Sequence, residues 1–478
     1  MEGQGSKARL RVPALDEGMV SAFPITIVPQ EEGYTRKLFN MDFDEVQGLI
    51  RKRPGLKKRQ SFGSTINGLW EYKEPESQEI YIIVGQGSEL VYISEFGEST
   101  TTLKSGLDSE GFFDFTELGG QLLIVNGKDD SMVWDGSSLD EPEEFPKGKY
   151  LTEFRFRAVT AGMQDDPLVL RVSHPGDPTM WDPGEEGSRA FEVYTGDGQP
   201  ITGLAQLDDF VLIGKERSLH ALTGTTTEDF AVFPLDRNIG LGSHWAARVM
   251  RNVVYFPDKY GGIYRLESGA MPEKISTPVK DYIDKVDWPN IHKATAVIFQ
   301  RHQYVVSLPH KDGGYMTLAY DTVRDRWRSW DTHMKVSALL HHEQEGTFHF
   351  VKPSEEGSVY QLETDSVNDG GEPIESELET IEYHMGAPEQ EKEINNLYLG
   401  IWCTKEPTDL TVYYSLDKSD WEWVANESIA GNKGDYKKIR IPIGKSCRSI
   451  QFKIENKSKD QNLRILDMVI TFLPRELE

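Results

Sequence analysis

A chain of 478 residues is too long for one ordinary core, so two or three domains are expected. Its 52 basic and 78 acidic residues leave a net charge of −26, which repels nucleic-acid phosphates and anionic membranes over most of the surface and disfavours a role that grips DNA. Hydrophobic residues at 38% and charged residues at 27% imply a very polar surface, while 21 Phe, 19 Tyr and 10 Trp argue against disorder.

In chain order, Met1 to Val12 carries charges and no apolar signal region, and no eighteen apolar residues run together, so neither a signal peptide nor membrane insertion is expected. Residues 1–60 read as an arm and lead-in strand ending in a basic run of Arg51, Lys52, Arg53, Lys57, Lys58 and Arg59, with a turn at Pro54-Gly55. On an acidic background this run is either a solvated strand lining or a contact with DNA or an acidic partner.

From there a hairpin keeps returning: a short Val/Ile/Tyr/Phe run, a Gly, Asn or Asp turn, and a second run. The pairs are Ile80–Val84 with Leu90–Ile93, Leu122–Val125 with Met132–Trp134, a weaker one within Leu168–Trp181, and Phe210–Ile213 with Leu219–Leu222. Val253–Phe256 with Ile263–Leu266, Tyr304–Leu308 with Tyr315–Tyr320, and Phe348–Val351 with Val359–Leu362 complete them. Their starts recur every roughly 40 to 50 residues, the length of one four-stranded propeller blade. The chain is therefore expected to be all-β, with a six- or seven-bladed β-propeller over 61–367; stacked meanders are the alternative. Helix is scarce, Ser276 to Val286 being the best candidate, with Pro278 in its first turn.

A turn-rich break, Asn368-Asp-Gly-Gly371-Glu-Pro373, precedes alternating apolar and polar residues in Leu397–Leu399, Leu410–Tyr414, Ile439–Ile443, Ile450–Ile454 and Ile465–Leu473. This pattern predicts a C-terminal antiparallel β-sandwich over 368–478.

Candidate chemistry is thin. Cys403 and Cys447 are too few for a disulfide scaffold and fit no zinc spacing, which suggests assembly in a reducing cytoplasm. His341, His342, Glu343 and His349 gather imidazoles, but adjacent residues on a strand face opposite ways and no second ligand pair has metal spacing, so no metal or cofactor is expected. Ser415-Leu-Asp417-Lys-Ser-Asp-Trp421 resembles the Asp-box turn of sialidases, with Ser419 in place of the glycine and Trp421 one position early. The Gly85-Gln-Gly87 and Gly196-Asp-Gly198 turns lack a following helix to present amides to a phosphate. Asn426-Glu-Ser428 and Asn456-Lys-Ser458 are chance glycosylation sequons in a chain without a secretory signal. No catalytic residues are assigned, and an enzyme is not expected; the alternative is a carbohydrate-binding or glycan-cleaving propeller using Trp421 and Trp423.

Several stretches fall in a telling order: Asn40 with Gly48-Leu-Ile-Arg-Lys-Arg-Pro-Gly55, then Arg155-Phe-Arg157-Ala-Val-Thr-Ala-Gly162 and Val172-Ser-His-Pro-Gly-Asp-Pro-Thr-Met-Trp181, then Gly198–Thr202, Leu219–Gly224, Ile239–Ser243 and Tyr320-Asp-Thr-Val-Arg-Asp-Arg-Trp327. Together they resemble the β-propeller tail nozzle and packaged-DNA stabilisation proteins of short-tailed bacteriophages, the first being similar to the lead-in before their first blade and the second and third to their Arg-x-x-x-x-Gly and Ser-x-x-Gly-Asp-Pro-x-x-Trp stretch. The resemblance implies a structural virion protein assembled in the host cytoplasm: a hexameric ring at the tail, attached to a neck adaptor or portal-proximal ring. Such a ring retains packaged DNA and gives it an exit channel with weak contacts. The even hairpin spacing departs from nozzles that carry fibre-docking insertions.

Overall fold

The computed structural model of the chain describes residues 8–475 apart from 24–27, 45–47, 184–186, 195, 197, 227, 331–338, 343–346, 352–356, 364–365, 405 and 460. Five strands come first: β1 (Ala8–Val12), β2 (Thr35–Phe39), β3 (Met41–Phe43), β4 (Ile50–Lys52) and β5 (Gly55–Ser61). The propeller follows. Blade 1 is β6 (Ile66–Lys73), β7 (Ile80–Gln86), β8 (Glu89–Ile93) and β9 (Thr101–Ser105); blade 2 is β10 (Asp114–Leu118), β11 (Gln121–Val125), β12 (Met132–Trp134) and β13 (Leu139–Asp140). Blade 3 is β14 (Tyr150–Phe154), β15 (Arg157–Ala161), β16 (Val169–Val172) and β17 (Arg189–Glu192); blade 4 is β18 (Ile201–Gln206), β19 (Phe210–Lys215), β20 (Leu219–Thr223) and β21 (Ala231–Asp236). Blade 5 is β22 (Arg248–Met250), β23 (Val253–Pro257), β24 (Ile263–Glu267) and β25 (Glu273–Lys274). The one-turn helix α1 (Lys280–Ile283), entered through a 3-10 turn with Pro278 at its start, leads to blade 6. Blade 6 is β26 (Thr295–Phe299), β27 (Gln303–Pro309), β28 (Tyr315–Asp321) and β29 (Arg326–Trp330).

Blade 7 takes only three strands from its own stretch, β30 (Leu339–His342), β31 (Thr347–Val351) and β32 (Ser358–Glu363); its outer strand is β5, paired antiparallel to β32. The ring is thus closed by chain from before blade 1. Packing agrees with the count of seven blades: six of the seven junctions have their own apolar cluster, and at the junction of blades 5 and 6 Tyr255 packs with Tyr304 and Tyr320 in the cluster that continues into the sandwich. Val359 packs with Ile66 and Val84 between blades 7 and 1, Tyr72 with Phe115 and Trp134 between 1 and 2, and Leu123 with Leu151 and Trp181 between 2 and 3. Val159 with Ile213, Leu212 with Val254, and Leu56 with Phe299 and Trp330 serve junctions 3–4, 4–5 and 6–7. Inner blade strands are therefore covered on both faces, which is why β19 and β27 are buried at every residue.

The recurring hairpin of the sequence is the second and third strand of each blade. Blade 3 departs from expectation. Its central pair is β15 with β16, and Trp181 lies outside any strand, its indole N–H donating to the Pro178 carbonyl at 2.6 Å while its ring stacks on Phe145 at 4.9 Å.

After the small hairpin of β33 (Asn368–Asp369) and β34 (Glu372–Pro373) comes the sandwich, with β35 (Ser376–Thr380), β36 (Lys392–Trp402), β37 (Thr408–Leu416), β38 (Glu422–Ile429), β39 (Tyr436–Cys447), β40 (Ile450–Asn456) and β41 (Arg464–Pro474). Burial alternates along β35 and β40, as it does in strands with one covered face. Residues 1–60, expected as an arm and lead-in strand, supply strands to the sheets that follow. Strands β1 and β4 pair with different stretches of β41, and β3 pairs with β4, so three N-terminal strands complete one sandwich sheet. Strand β2 runs parallel to β29 and antiparallel to β35, so blade 6 and the second sandwich sheet form one nine-stranded sheet. A single apolar cluster runs from Tyr255 and Ile283 through Trp327 into Leu378, Leu397 and Ile454, so propeller and sandwich share a core.

Candidate functional site

The six-residue basic run does not form one surface. Lys52 and Arg53 are each 1% exposed. The Lys52 ammonium donates to Asn456 Oδ1 at 2.8 Å and to the carbonyls of Ser458 at 2.9 Å and Gln461 at 3.2 Å. Burial, then the neighbouring Arg53 charge, lowers its pKa to about 8, with Asp369 opposing. The Arg53 guanidinium meets Asp369 through two N–H···O bonds at 3.0 and 2.6 Å and donates through Nε to Asn40 Oδ1 at 2.8 Å. Asn40 in turn donates to the Glu375 carbonyl at 2.8 Å. Gly55 is required here, because a Cβ would lie 2.1 Å from the Asn368 carbonyl oxygen. These two cations are withdrawn as partner contacts: partners more than 300 residues away hold them inside, where they pin the lead-in to the sandwich. Arg51 is half-buried on β4, opposite Asp42 and Arg464.

Lys57 and Lys58 are exposed and Arg59 is half-buried, all on the outer strand of blade 7. The register slips there, Val359 facing Gln60 and Tyr360 facing Lys58, which leaves Arg59 in a bulge. Lysines and a bulge on an outer strand discourage pairing with another chain.

A second brace crosses the same junction. Arg328 of β29 and Asp42 of β3 have fully buried side chains with Nε 2.7 Å from Oδ1, and the guanidinium lies 4.9 Å from the Phe43 ring. Arg328 Nη1 and Nη2 and Asp42 Oδ2 are buried with no hydrogen-bond partner among the described residues, so removing either side chain leaves the other charge uncompensated.

At the propeller axis, the first strands of successive blades lie side by side, β10 beside β14, β14 beside β18 and β30 beside β6. The loop joining blades 4 and 5, residues 240–247, crosses this mouth. Leu204 N–H of blade 4 donates to His244 Nδ1 at 3.1 Å, and His244 Nε2 lies 2.9 Å from Asp114 Oδ2 of blade 2. The same carboxylate oxygen accepts Leu151 N–H of blade 3 at 2.6 Å. Ser243 Oγ donates to the Ala294 carbonyl at 2.7 Å, and Ala296 N–H of blade 6 donates to the Trp245 carbonyl at 3.0 Å. Trp245 packs on Phe112 at 4.8 Å. One loop thus ties four blades together. Gly240 is needed for its entry, since a Cβ would sit 2.1 Å from the Glu216 carbonyl. Although Ser243, His244 and Asp114 are the residue types of a nucleophilic triad, both imidazole nitrogens are occupied by Leu204 and Asp114. Neither can take a proton from Ser243.

The sequence reading missed a carboxyl pair on the sandwich. Glu377 and Glu379 of β35 are hydrogen-bonded to each other. Burial and the Glu377 charge push Glu379 up to about 7, while Lys37 Nζ, 2.9 Å from Glu377 Oε2, helps hold that partner below its usual value. The pairing of i and i+2 carboxylates on one strand face is the signal that could have found them.

The Asp-box-like turn is a brace. Asp417 Oδ1 accepts the N–H groups of Arg448 at 2.9 Å and Ser449 at 2.8 Å, tying the β37–β38 turn to the β39–β40 turn. Trp421 and Tyr413 lie 5.4 and 4.4 Å from the Lys453 ammonium, whereas Trp423 is 60% exposed. Trp421 therefore packs against a cation on the sheet, while Trp423 lies at the surface with its indole N–H donating to Asn426 Oδ1 at 3.2 Å. Among the described residues there is no group of three metal-ligating side chains, and no helix is long and apolar enough to cross a membrane. The side chains of His341, His342, Glu343 and His349 lie outside the described residues. Cys403 and Cys447 are buried free thiols, and burial pushes Cys447 up to about 12.

No family model matches the chain, and no curated protein does. Among solved structures, the extracellular domain of a hybrid two-component system from B. thetaiotaomicron is similar at 9% identity and TM-score 0.46, covering 85% of this chain and 60% of that one. PorZ, a surface component of the type-IX secretion system of Porphyromonas gingivalis, is similar at 13% identity and TM-score 0.41 over 80% of this chain and 46% of its own. The Pan2 WD40 domain of Neurospora crassa is similar at 8% identity and TM-score 0.40, over 65% of this chain and 95% of that one. The chain thus spans less than two thirds of the length of the two bacterial proteins. The class defined by its own strands is a seven-bladed β-propeller fused to an antiparallel β-sandwich.

Proposed function

We propose that the protein is a non-enzymatic structural component of a bacteriophage tail: a subunit of a ring that retains packaged DNA and forms its exit channel. The observation that carries this reading is the weld between propeller and sandwich. A ring subunit under load from packaged DNA needs two units that do not hinge. Here the continuous sheet through β2, the shared core, and the Arg53–Asp369 and Arg328–Asp42 pairs join them into one body. Some of the stretches that carry the family resemblance fall on such joints. Asn40 and the Arg53-Pro-Gly55 turn form the weld. Thr202, whose hydroxyl donates to the Leu241 carbonyl at 2.7 Å, and residues 239–243 build the axial crossing. Asp321 Oδ1, which accepts Val323 N–H at 3.0 Å and Arg324 N–H at 2.9 Å, shapes the turn into Trp327. The net charge of −26 favours a lumen along which DNA slides without being held.

The reading expects a homo-hexamer docked on a neck adaptor or portal-proximal ring. Arg51, Lys57, Lys58 and Arg59 are the remaining basic candidates for that contact. Native mass spectrometry of the full chain mixed with the neck complex of its own particle tests it. A multimeric chain bound to the neck supports the proposal. A monomer at high concentration that leaves the neck complex unbound refutes it.

A further inference from the structure

The outward face of one sandwich sheet reverses the sign of charge that the rest of the chain carries. Strands β1, β41, β36 and β39 lie side by side in it. Residues directly opposite in an antiparallel pair point to the same side. Leu10, Ile470, Leu397 and Ile441 stand opposite one another and are buried in the shared core. The next row, Arg11, Val469, Tyr398 and Arg440, therefore faces away from that core, as does the row that begins at Arg9 and Thr471. Further along, Lys438 lies opposite Gly400 and Tyr436 opposite Trp402. Arg9, Arg11, Lys438 and Arg440 are exposed, and so is Tyr436.

The acid in the middle of this face is turned in. Asp467 lies across Gly400, where a Cβ would come within 1.8 Å of its Oδ1. Tyr436 Oη donates to that oxygen at 2.8 Å, and Lys438 Nζ lies 3.5 Å from Oδ2. Arg440 Nε donates to the neutral Asn396 Oδ1 at 2.7 Å. Among the described residues, Arg9, Arg11 and Arg440 meet no carboxylate. Arginine, tyrosine and tryptophan with few acids is the composition found at the centre of protein–protein interfaces. With a net charge of −26, a second copy of the chain is itself an acidic partner of the kind this face fits.

We propose that this sheet face joins one copy of the chain to the next by docking on the acidic groove between blades 1 and 2. That groove, of about 640 Å3 between the β6–β7 and β12–β13 turns, is lined by Glu74, Glu76, Glu79 and Asp135 and by no basic residue. Its carboxylates accept from neutral donors: Glu74 from the N–H groups of Glu76 and Ser77, Glu79 from Tyr81 Oη, and Asp135 from Ser137 and Ser138. The sandwich joins the propeller at blade 6, and in an even ring of seven blades the groove lies about 130° further round. Face and groove are thus separate surfaces, and the contact is head-to-tail, the kind that forms a ring when its rotation closes. The proposal rests on the ring reading in that both need copies of the chain to meet.

Sedimentation velocity of the full chain over a range of concentration and salt tests it. Association that weakens as salt rises is expected. A face variant, Arg9→Glu with Arg11→Glu and Arg440→Glu, should associate at least 100-fold more weakly, and so should a groove variant, Glu76→Lys with Glu79→Lys. Mixed in equal amounts, the two should pair one to one, because the intact groove of the first takes the intact face of the second; that pairing also shows both to be folded. Undiminished association of the face variant overturns the proposal and leaves the ring reading standing on another contact. A mixture that stays monomeric overturns it, as does a wild-type chain that is monomeric throughout or whose face captures duplex DNA instead. The ring reading is decided separately, by the mixture with the neck complex.

Discussion

Replacing Asp369 by Asn tests the weld most sharply. The Arg53 side chain is 0% exposed and that of Asp369 14% exposed, and the guanidinium has two bonds to this carboxylate. Asp369 Oδ1 also accepts the Leu56 N–H at 3.0 Å, at the start of the strand that closes the propeller. Removing one charge of a buried pair costs about 3–5 kcal/mol, chiefly because the other is left uncompensated. The amide oxygen of Asn keeps part of the hydrogen bonding, so about 3 kcal/mol is expected. Since 1.4 kcal/mol is a factor of ten, amides of β5 and β2 should exchange roughly 100-fold faster if they open through this joint. Hydrogen exchange by mass spectrometry reads those strands separately, which matters because a chain of this size need not unfold in two states. The double variant Arg53→Met with Asp369→Leu, which removes both charges, should recover much of the loss. Unchanged β5 exchange in Asp369→Asn, or a double variant worse than the sum of its singles, would refute the reasoning.

Other consequences follow from the same geometry. Asp42→Ala, which strands the buried Arg328 charge, should cost about 3–5 kcal/mol in urea unfolding, against little for breaking the exposed Lys147–Asp130 pair. Because Glu379 is raised from 4.5 to about 7, the folded state holds a proton that the unfolded chain has released; stability should therefore fall as pH rises from about 4.5 to 7. Glu379→Gln should flatten that slope and gain roughly 2 kcal/mol above pH 7, taking one pKa unit as about 1.4 kcal/mol and discounting for partial exposure; a melt profile with the same slope in the variant would contradict it. Replacing Lys57, Lys58 and Arg59 by Ser should leave the melt within about 0.5 kcal/mol and weaken neck attachment in a salt-dependent way, whereas Lys52→Ser or Arg53→Ser should disrupt folding instead. Asp417→Ala should loosen the β37–β38 turn by about 1 kcal/mol, measurable as faster exchange at Arg448 and Ser449.

What could be read in advance followed burial. The strand pairs at the centre of each blade, such as Phe210–Lys215 with Leu219–Thr223, are apolar because neighbouring blades cover both faces, so their rhythm shows in the sequence. The alternating strands of the sandwich were legible for the complementary reason, one covered face. The N-terminal strands were not. Thr35–Phe39 and Gly55–Ser61 are short and charged, and their partners lie about 300 residues on, so only the assembled fold shows them to be the joint and the ring closure. Lys52 and Arg53 looked like surface for the same reason: Asn456 and Asp369 bury them from the far end of the chain. The axial loop was invisible because its meaning depends on four blades converging on His244, Ser243 and Trp245.

The proposal that this chain is a rigid ring subunit is tested most directly by electron microscopy of the purified full-length protein, alone and with its neck complex. The account predicts closed rings, six-fold if the family resemblance holds, in which propeller and sandwich keep one fixed relation in every subunit. Isolated single chains under both conditions, or a sandwich that swings relative to its propeller, would contradict it.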